Sequence, residues 1–490
     1  MLNISEAVSR ASQKWPEKAF LIFDNQEITF KDFRENVNRW TDYLSKNKIE
    51  KSDIVSVYSK NNTDMLYLWM ASNRLGAIFA PFNFNLRDTE LEKLVQDSKP
   101  RLLFTDADLK SGNLEKITKV VKFDTITLSG SSKSLEFTEP DDVSTLLYTS
   151  GTESLPKGVM NTHINWTAAL LSSVVDLNWK HDDVFLLSIP LYHVAGLYTF
   201  IGFLNVGGTI ILGRKPDLPE IDSFIRKYKV TYLIFPPTLF IALSQFFTEP
   251  YPSVRNCISF GAFLGKQQVA AVSKLFPNAE WRNYYGQTES TPMGTTLQPE
   301  HFKSKGESIG KPHINVEIRL VGDDGAPVSK TGEIGEIQLR GPTVAAGYYN
   351  NPEKTAETFL KDGWLRTGDL AKFDSDGFLY FVDRKKDIVR TGGENVSTME
   401  VEGAILEDAR TAEAAVIGIP HKYWGEAVTA FVTLRKEQKV DEAELLSNLN
   451  KRLAAYKIPK KIIIVDALPH NPSGKILKKE LREKYSGIYA

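Results

Sequence analysis

Hydrophobic and polar positions follow one pattern in the first part of the chain and a different one later. Up to about Ser308, short apolar runs such as Ile54–Tyr58 and Leu102–Thr105 alternate with amphipathic stretches of helical length such as Phe30–Leu44. Strands that alternate with helices predict a mostly parallel sheet covered by helices. The first part of the chain is therefore predicted to be α/β.

Beyond Ser308 the pattern changes to short alternating runs separated by turn residues. Val316–Leu320 precedes the turn Gly322–Gly325, and a further alternating run covers Gly335–Leu339. Strands joined by tight turns predict an antiparallel or barrel-like β subdomain. The expected fold class is thus α/β, with a large N-terminal domain that includes a small β-barrel-like subdomain.

A charged segment, Asp383–Asp387, follows the strand-like run Phe378–Val382 and marks a further boundary. The remaining residues contain their own strands at Ala414–Ile419 and Val428–Leu434 and a helix at Glu442–Leu453, enough for a small α+β domain. We expect an N-terminal domain over residues 1–385 and a C-terminal domain over residues 386–490, joined by a hinge.

Val184–Leu212 contains no Asp, Glu, Lys or Arg and is long enough to span a bilayer. Helix-breaking and polar residues interrupt it, namely Pro190, His193, Asn205 and the glycines at 196, 202, 207 and 208. These interruptions predict a strand, a loop, a helix, a turn and a second strand inside a buried α/β unit, and not a membrane span.

The overall charge is balanced, with 60 Lys and Arg against 61 Asp and Glu in 490 residues, so a nucleic acid is not expected as the main partner. A single cysteine, Cys257, excludes an internal disulfide framework, and the histidines have no zinc-ligand spacing. The first residues lack the apolar run of a secretory signal. A cytoplasmic protein is predicted.

Two of four candidate segments follow strand-like runs and suit phosphate chemistry. After Leu146–Thr149 come Ser150-Gly151-Thr152 and then Pro156-Lys157-Gly158, whose small residues let backbone N–H groups face phosphate oxygens. This is not a Walker A loop, because proline replaces the second glycine. In Tyr284–Glu289 a glycine permits close approach, the Thr hydroxyl can reach phosphate and the carboxylate can hold Mg²⁺. Alone, each segment also fits an ordinary turn.

The other two candidate segments each present one charged residue after a turn. Trp364–Asp369 places Asp369 behind a glycine, where an acid can accept both hydroxyls of a ribose. Pro469–Lys475 places Lys475 on a flexible turn, from which its ammonium can neutralise a phosphate or carboxylate. Alone, these are a common Gly-Asp turn and a surface lysine.

Together, in this order and at these distances, the four segments resemble the adenylate-forming superfamily of acyl-CoA synthetases, beetle luciferases and peptide-synthetase adenylation domains. Pro190–His193, Asp383–Asp387, Gly392–Asn395 and Glu400–Glu402 are similar to further signatures of that superfamily. The resemblance covers nearly the whole chain. It implies a large N-terminal part that holds ATP and an acid, and a smaller mobile C-terminal lid that rotates between two half-reactions.

The resemblance also implies roles for individual residues. The ATP phosphates would contact Thr149, Ser150, Gly151, Thr152, Lys157 and Thr288, and Glu289 would hold Mg²⁺. The adenosine would contact Tyr285, Gly261, Ala262, Asp369 and Arg384. Lys475 would bridge the carboxylate and the α-phosphate, His193 would lie between the acyl pocket and the adenylate, Lys386 would be the hinge, and Gly392 and Gly393 would line the pantetheine tunnel.

The first candidate segment, Leu146–Gly158, is called the phosphate segment below. It departs from the superfamily pattern, because Glu153-Ser154 stands where Thr-Gly is usual. A carboxylate near a triphosphate repels it unless the side chain turns outward or binds magnesium. Our hypothesis is that Glu153 points away from the nucleotide, so that Glu153→Thr changes the KM for ATP by no more than a few-fold.

The implied activity is ATP- and Mg²⁺-dependent conversion of a carboxylic acid to acyl-AMP, followed by transfer of the acyl group to coenzyme A. An apolar wall formed by Val194, Ala195, Leu197, Phe200, Phe260 and Phe263 favours a medium- or long-chain fatty acid, although these residues fit an ordinary core equally well. The alternatives are an aryl acid of the succinylbenzoate or coumarate type, transfer to a separate carrier protein, luciferase-like oxidation, or a non-catalytic binding role. The sequence is compatible with a monomer or a homodimer. It is also compatible with peripheral contact with a membrane.

Overall fold

A computed structural model describes residues 3–109, 113–129, 139–149, 156–261, 266–470 and 476–489. The chain divides into two compact units. Unit 1 contains Met1–Ile318, Gln338–Arg366 and Gly377–Leu379, and unit 2 contains Arg319–Ile337, Thr367–Asp376 and Tyr380–Ala490. The division into domains at residue 385 stays a prediction.

The strands are β1 (Ala19–Phe23), β2 (Gln26–Thr29), β3 (Ile54–Tyr58), β4 (Ile78–Phe82), β5 (Leu102–Thr105), β6 (Lys119–Lys122), β7 (Val143–Thr149), β8 (Lys157–Thr162), β9 (Val184–Leu187), β10 (Thr209–Leu212), β11 (Tyr232–Phe235), β12 (Asn256–Phe260), β13 (Glu280–Tyr285), β14 (Thr295–Leu297), β15 (Lys311–Pro312), β16 (Glu317–Val321), β17 (Ile334–Arg340), β18 (Leu365–Phe373), β19 (Leu379–Arg384), β20 (Val389–Thr391), β21 (Glu394–Val396), β22 (Thr411–His421), β23 (Gly425–Leu434) and β24 (Lys461–Ile464).

The α-helices are α1 (Glu6–Lys14), α2 (Phe30–Lys46), α3 (Thr63–Arg74), α4 (Asp88–Ser98), α5 (His163–Asp176), α6 (Val194–Val206), α7 (Leu218–Tyr228), α8 (Pro237–Phe246), α9 (Lys266–Leu275), α10 (Pro299–Lys305), α11 (Pro352–Thr358), α12 (Thr398–Leu406), α13 (Glu442–Asn450) and α14 (Lys478–Lys484).

Two large sheets form the framework of unit 1. A six-stranded sheet has the order β6-β5-β3-β4-β7-β8, and a nine-stranded sheet has the order β15-β14-β13-β12-β11-β9-β10-β1-β2. Their central pairs are parallel, including β3 with β4, β4 with β7, β9 with β10 and β12 with β13. Every residue of β3 is buried, as expected for a strand covered by helices on both faces.

Local sequence explains why α2 begins where it does. The hydroxyl of Thr29 accepts a hydrogen bond from the backbone N–H of Asp32, whose carboxylate in turn accepts from the N–H of Thr29. This capping box satisfies the first free donors of the helix. The apolar face of α2 buries Phe33, Val37 and Trp40 against the core of unit 1, as the sequence pattern predicted.

The apolar segment Val184–Leu212 folds as the strand β9, the helix α6 and the strand β10, which confirms its predicted α/β organisation. Among the residues that the structure describes, no helix is both long enough and apolar enough to cross a bilayer. Cys257 lies in β12 with no exposed surface, and this burial raises the pKa of its thiol well above the ordinary value.

A four-stranded sheet with the order β16-β17-β18-β19 occupies the region in which the sequence predicted β structure. A further sheet in unit 2 has the order β21-β20-β23-β22, with β24 beside β23. Residues of α12 and α13 pack with β22 and β23 in one apolar core that includes Val401, Val416, Val428 and Leu445. The α/β class, with a large N-terminal part and a smaller C-terminal part, is confirmed.

Candidate active site

Three predicted site residues of unit 1 lie at the carboxyl ends of strands that have a parallel neighbour. Thr149 ends β7, Gly261 follows β12, and Tyr285 ends β13. Because Phe260 pairs with Tyr284, Gly261 and Tyr285 continue neighbouring strands at one edge of the nine-stranded sheet. This edge is where open α/β sheets place their ligands.

The phosphate segment is built on an antiparallel pair. Thr149 on β7 stands opposite Lys157 on β8, and both side chains are half-buried. The ammonium of Lys157 lies 5.5 Å from the centre of the Tyr348 ring. A cation held beside an aromatic face stays partly desolvated, which suits a contact with phosphate.

The segment that contains Thr288 and Glu289 forms a short 3-10 helix directly after β13. The buried side-chain amide of Asn161 on β8 donates to the carbonyl of Thr288 at 3.0 Å and to the hydroxyl of Thr291 at 2.8 Å. These two bonds fix the turn against the strand that begins at Lys157. Two segments far apart in sequence are therefore held together by one amide.

Tyr348 lies between the predicted cation and the predicted metal ligand. Its hydroxyl donates to the carboxylate of Glu289 at 2.9 Å, and its ring faces Lys157. The backbone N–H of Ala345 donates to the carbonyl of Glu289 at 2.9 Å. The cluster thus contains one cation, Lys157, and one carboxylate, Glu289. The side chain of Tyr348 contacts both of them.

This cluster fits a magnesium ion that arrives with a nucleotide. Among the described residues, no group of three or more His, Cys, Asp or Glu side chains could hold a metal without help. Mg²⁺ commonly takes one or two carboxylates from the protein and fills its remaining positions with phosphate oxygens and water. The single carboxylate of Glu289 matches that requirement.

Two glycines shape the space around Tyr285. A side chain at Gly286 would place its Cβ 1.3 Å from the carbonyl oxygen of Pro292, so only glycine fits there. At Gly261, by contrast, no heavy atom of the described residues lies within 4 Å of the position a Cβ would take. The described residues therefore leave room in front of Gly261, which the resemblance predicts to line the adenine.

His193 precedes α6 and caps that helix. Its Nδ1 accepts a hydrogen bond from the backbone N–H of Ala195 at 3.2 Å, so the neutral ring carries its proton on Nε2. Solvent reaches the ring, but the surrounding protein removes enough water that desolvation lowers the pKa of His193. The lowered pKa favours the neutral form of the imidazole.

In unit 2 the structure brings Asp369 and Arg384 together. The guanidinium Nε of Arg384 lies 3.7 Å from the carboxylate of buried Asp369. Gly368 has a φ of +71°, which allows its N–H to reach Glu336 at 3.2 Å and its carbonyl to accept from the N–H of Lys385. The turn predicted at Gly368–Asp369 is wrong, because both residues lie within β18, and the bond from Lys385 holds this strand beside Arg384.

Lys386 and the glycine pair follow in the same unit. Partial burial, and after it the neighbouring Arg384, lower the pKa of Lys386. Gly392 and Gly393 form a two-residue hairpin loop between β20 and β21, with φ values of +59° and +84°. Two-residue hairpin loops of type I′ favour glycine, because both of their residues have a positive φ.

Five predicted site residues lie outside the described residues, namely Ser150, Gly151, Thr152, Ala262 and Lys475. The same holds for Glu153 and Phe263. Sequence reasoning missed Asn161 and Tyr348. We recognised no motif at either residue, and the backbone pairing of residues 346–349 with β8 is what places Tyr348 beside that strand.

Comparison with known proteins decides the family. A family model described as AMP-binding enzyme matches residues 8–349, and one described as AMP-binding enzyme C-terminal domain matches residues 400–475. The chain belongs to the AMP-binding enzyme family. The predicted superfamily is confirmed.

Several relatives of this AMP-binding enzyme carry one name. The 2-succinylbenzoate–CoA ligase of Bacillus subtilis strain 168 is 32% identical over 483 residues, which cover 97% of each chain. The ligase of that name from Geobacillus kaustophilus is 32% identical over 470 residues, which cover 95% of each chain.

Solved structures agree with the sequence comparison. The o-succinylbenzoate CoA synthetase of Bacillus subtilis with its acyl-adenylate intermediate has a TM-score of 0.92, 30% identity and 98% coverage of both chains. The structure of that synthetase with ATP and magnesium has a TM-score of 0.90, 30% identity, and coverage of 97% of this chain and 99% of that one. A Mycobacterium tuberculosis fatty acyl CoA synthetase has a TM-score of 0.79, 29% identity, and coverage of 99% of this chain and 98% of that one.

These findings establish the reaction class of this AMP-binding enzyme. It is an AMP-forming acid–thiol ligase that acts on a carboxylic acid with ATP, Mg²⁺ and coenzyme A. The predicted enzyme class and co-substrates are confirmed.

Proposed function

We propose that the enzyme activates an aromatic acid of the 2-succinylbenzoate type as its adenylate and transfers the acyl group to coenzyme A. The observation that carries this proposal is the similarity to 2-succinylbenzoate–CoA ligases over 97% of the chain. The sequence-based expectation of a fatty acid is less well supported than the aryl-acid alternative.

The packing of α6 removes part of the argument for a fatty acid. Phe200 has no exposed surface, and its ring lies within 5.8 Å of the rings of Phe20, Phe33 and Trp69. Val194, Ala195 and Leu197 are also buried. These residues satisfy the core of unit 1, so their apolar character gives no information on an acyl chain.

The chemistry of the first half-reaction requires a carboxylate to approach an anionic phosphate. In this proposal Thr149, Lys157 and Thr288 bind phosphate oxygens, and Glu289 holds Mg²⁺, with Tyr348 orienting its carboxylate. Bound Mg²⁺ would reduce the repulsion between the two anions. Lys157 adds a second positive charge beside the phosphates, which makes catalysis a matter of position and electrostatics.

The residues of unit 2 complete the proposed assignments. Asp369 and Arg384 bind the ribose hydroxyls, and Lys475 contacts the carboxylate and the α-phosphate during adenylation. Gly392 and Gly393 contact the pantetheine arm during thioester formation, and Lys386 acts as the hinge of a mobile C-terminal domain. Neutral His193 lies beside the acyl group and offers an Nε2–H donor without adding charge.

A panel of acids tests the substrate assignment. Purified enzyme is offered 2-succinylbenzoate, 4-coumarate, octanoate or palmitate with ATP, Mg²⁺ and coenzyme A, and acid-dependent pyrophosphate exchange and thioester formation are measured. We expect kcat/KM for 2-succinylbenzoate to exceed that for the fatty acids by about 100-fold or more. Preference for octanoate or palmitate would overturn the assignment, and adenylate formation without thioester would indicate a carrier-protein acceptor.

A further inference from the structure

The helix α5 exposes an apolar face to solvent. Between Ile164 and Val175 its sequence contains no Asp, Glu, Lys or Arg. Along this helix, which lies wholly within the described residues, the exposed positions are Ile164, Leu171, Val174 and Val175, with 37–61% of their surface accessible. An ordinary surface helix turns charged and polar side chains to water. The outer side of α5 therefore has the composition of a buried surface.

The opposite side of α5 is already fixed inside unit 1. Trp166 has no exposed surface, and the side-chain amide of Asn165 donates to the carbonyls of Pro342 and Val344 at 2.9 Å each. These contacts set the orientation of the helix about its own axis. The exposed side chains therefore cannot turn inward to the core of unit 1.

Ile314 extends the apolar surface beyond the carboxyl end of α5. This residue is 64% exposed, and its backbone N–H donates to the carboxylate of Asp176 at 3.2 Å, which places it beside the last turn of the helix. A contiguous apolar surface marks a site of interaction more often than a group of scattered apolar residues does. The α5 face is defined as Ile164, Leu171, Val174, Val175 and Ile314.

The spacing of residues along the α5 face indicates what covers it. Ile164, Leu171 and Val174 follow one another at intervals of seven and three residues, so they form one stripe along the helix. These intervals are those of successive a and d positions in a pair of packed helices. The stripe therefore fits a helix with the same spacing, and α5 of a second copy has that spacing by identity.

Charges near the two ends of α5 favour an antiparallel pair of copies. The exposed acids Glu139 and Asp141 precede the helix, and the carbonyl of Pro140 between them accepts from the N–H of Ile164 at 2.8 Å. Exposed Lys180 follows the helix. A two-fold axis through the middle of the face would bring the acids of one copy toward Lys180 of the other, and would make the two helix dipoles antiparallel.

The same charges disfavour a lipid surface as the occupant. Helices that lie on membranes carry Lys and Arg around their apolar face, and the interior of α5 has neither. Glu139 and Asp141 near its amino end, and Asp176 at its carboxyl end, would be repelled by anionic headgroups. The α5 face is therefore better matched by protein than by lipid.

We propose that two copies of this enzyme associate through the α5 face, with their α5 helices antiparallel about a two-fold axis. Leu171 lies next to the axis, and Ile164 of one copy faces Val174 of the other, because a positions oppose d positions in an antiparallel pair. None of the proposed site residues belongs to the α5 face. The proposal therefore does not depend on the substrate assignment.

The first test compares Leu171→Glu with Phe246→Glu, which introduces the same charge at an exposed apolar residue at the end of α8. Sedimentation equilibrium of the wild-type enzyme should show a monomer–dimer equilibrium. The dissociation constant should rise about 30-fold or more in Leu171→Glu only, because the dimer would bury an unpaired carboxylate. A wild-type enzyme that is monomeric up to about 100 µM, an unchanged constant in Leu171→Glu, or an equal rise in both variants would overturn the proposal.

Single cysteines test the antiparallel arrangement without adding charge, since the natural Cys257 is buried. Ile164→Cys protein and Val174→Cys protein of different tag length are mixed and oxidised mildly. The disulfide-linked heterodimer should form in higher yield than either homodimer, whereas Phe246→Cys, the control, should stay unlinked. Homodimers of Ile164→Cys and of Val174→Cys in higher yield than the heterodimer would refute the antiparallel pairing. Linkage no greater than that of the control would refute the α5 interface.

Discussion

The candidate site residues of unit 1 and those of unit 2 are held by different forces. In unit 1 neutral hydrogen bonds from buried groups do the positioning, as with Asn161 and the Thr288 carbonyl. In unit 2 an ion pair joins the site residues Arg384 and Asp369, and a second joins Arg482 to Asp387, the neighbour of Lys386. Salt screens exposed ion pairs and leaves buried neutral bonds almost unchanged. The site residues of unit 2 should therefore respond to ionic strength more strongly than those of unit 1.

The largest expected effect comes from removing the metal ligand of unit 1. Glu289→Gln keeps the shape and the hydrogen bond from Tyr348 but removes the charge that would hold Mg²⁺. We expect acid-dependent pyrophosphate exchange to fall by about 10²–10³-fold and the Mg²⁺ requirement to rise.

Glu280→Gln is the matched control, because this exposed residue begins the strand that leads to Glu289. Its exchange rate should stay near wild type. A Glu289→Gln enzyme with normal exchange and normal Mg²⁺ dependence would remove the residue from the metal site.

The acid stability of unit 1 should depend on His163. Desolvation lowers the pKa of this buried imidazole to about 4, so it is neutral in the folded protein, whereas an unfolded chain binds its proton near pH 6.5. Stability is then lost as the pH falls from about 6.5 to about 4, by up to about 3 kcal/mol. Thermal unfolding followed against pH should show this loss in the wild type and a flatter profile in His163→Gln.

Only the slope is compared, because His163→Gln also changes packing. Identical slopes in the two proteins would show that His163 does not govern acid unfolding.

The next effect concerns the hairpin loop of unit 2. Gly393→Val forces a β-branched residue into a left-handed conformation and adds bulk, so we expect thioester formation from supplied acyl-adenylate to fall about tenfold or more. Pyrophosphate exchange should change less. Gly393→Asn is the control, because Asn tolerates the positive φ and should retain more of the transfer rate. Unimpaired transfer in the valine variant would refute the tunnel assignment.

The smallest effect belongs to an ion pair on the surface of unit 2. Hydrogen bonds and charge from Arg410 lower the pKa of Asp408 to about 2. The stability from this pair is present above about pH 4 and is lost as the pH falls through about 2. Because the pair is partly exposed, Asp408→Asn should cost only about 0.5–1 kcal/mol at pH 7 and less at 1 M salt.

Asp466→Asn, an exposed aspartate of the same unit, serves as the comparison in the same melting experiments. A salt-independent loss in Asp408→Asn would indicate packing and not charge.

Much of the fold could be predicted because the periodicity of the sequence agrees with its burial. Ile54–Tyr58 was predicted and observed with the same bounds, and the breakers in Val184–Leu212 correctly divided it into three elements. The helix predicted over Glu442–Leu453 ends at Asn450, because Lys451 and Arg452 turn back onto the carbonyls of Asn448 and Leu449. Apolar periodicity continued past the point where the backbone left the helix.

The site residues that could be predicted belong to local sequence motifs. Thr149 and Tyr285 end strands, Lys157 begins one and Glu289 lies in a 3-10 helix, and the roles of all four stay proposals. Tyr348 reaches Glu289 through long-range pairing with β8, which no local pattern encodes. Phe200 illustrates the opposite error, because an apolar side chain near a site motif belongs to the core.

The position of Cys257 has a practical consequence for assaying this enzyme. It is the only cysteine in the sequence, it has no exposed surface, and its thiol is held protonated by its surroundings. Thiolates, and not thiols, attack disulfide reagents. A chromogenic disulfide added to the folded enzyme should therefore titrate the free coenzyme A alone, and thioester synthesis can be followed continuously as the disappearance of that signal.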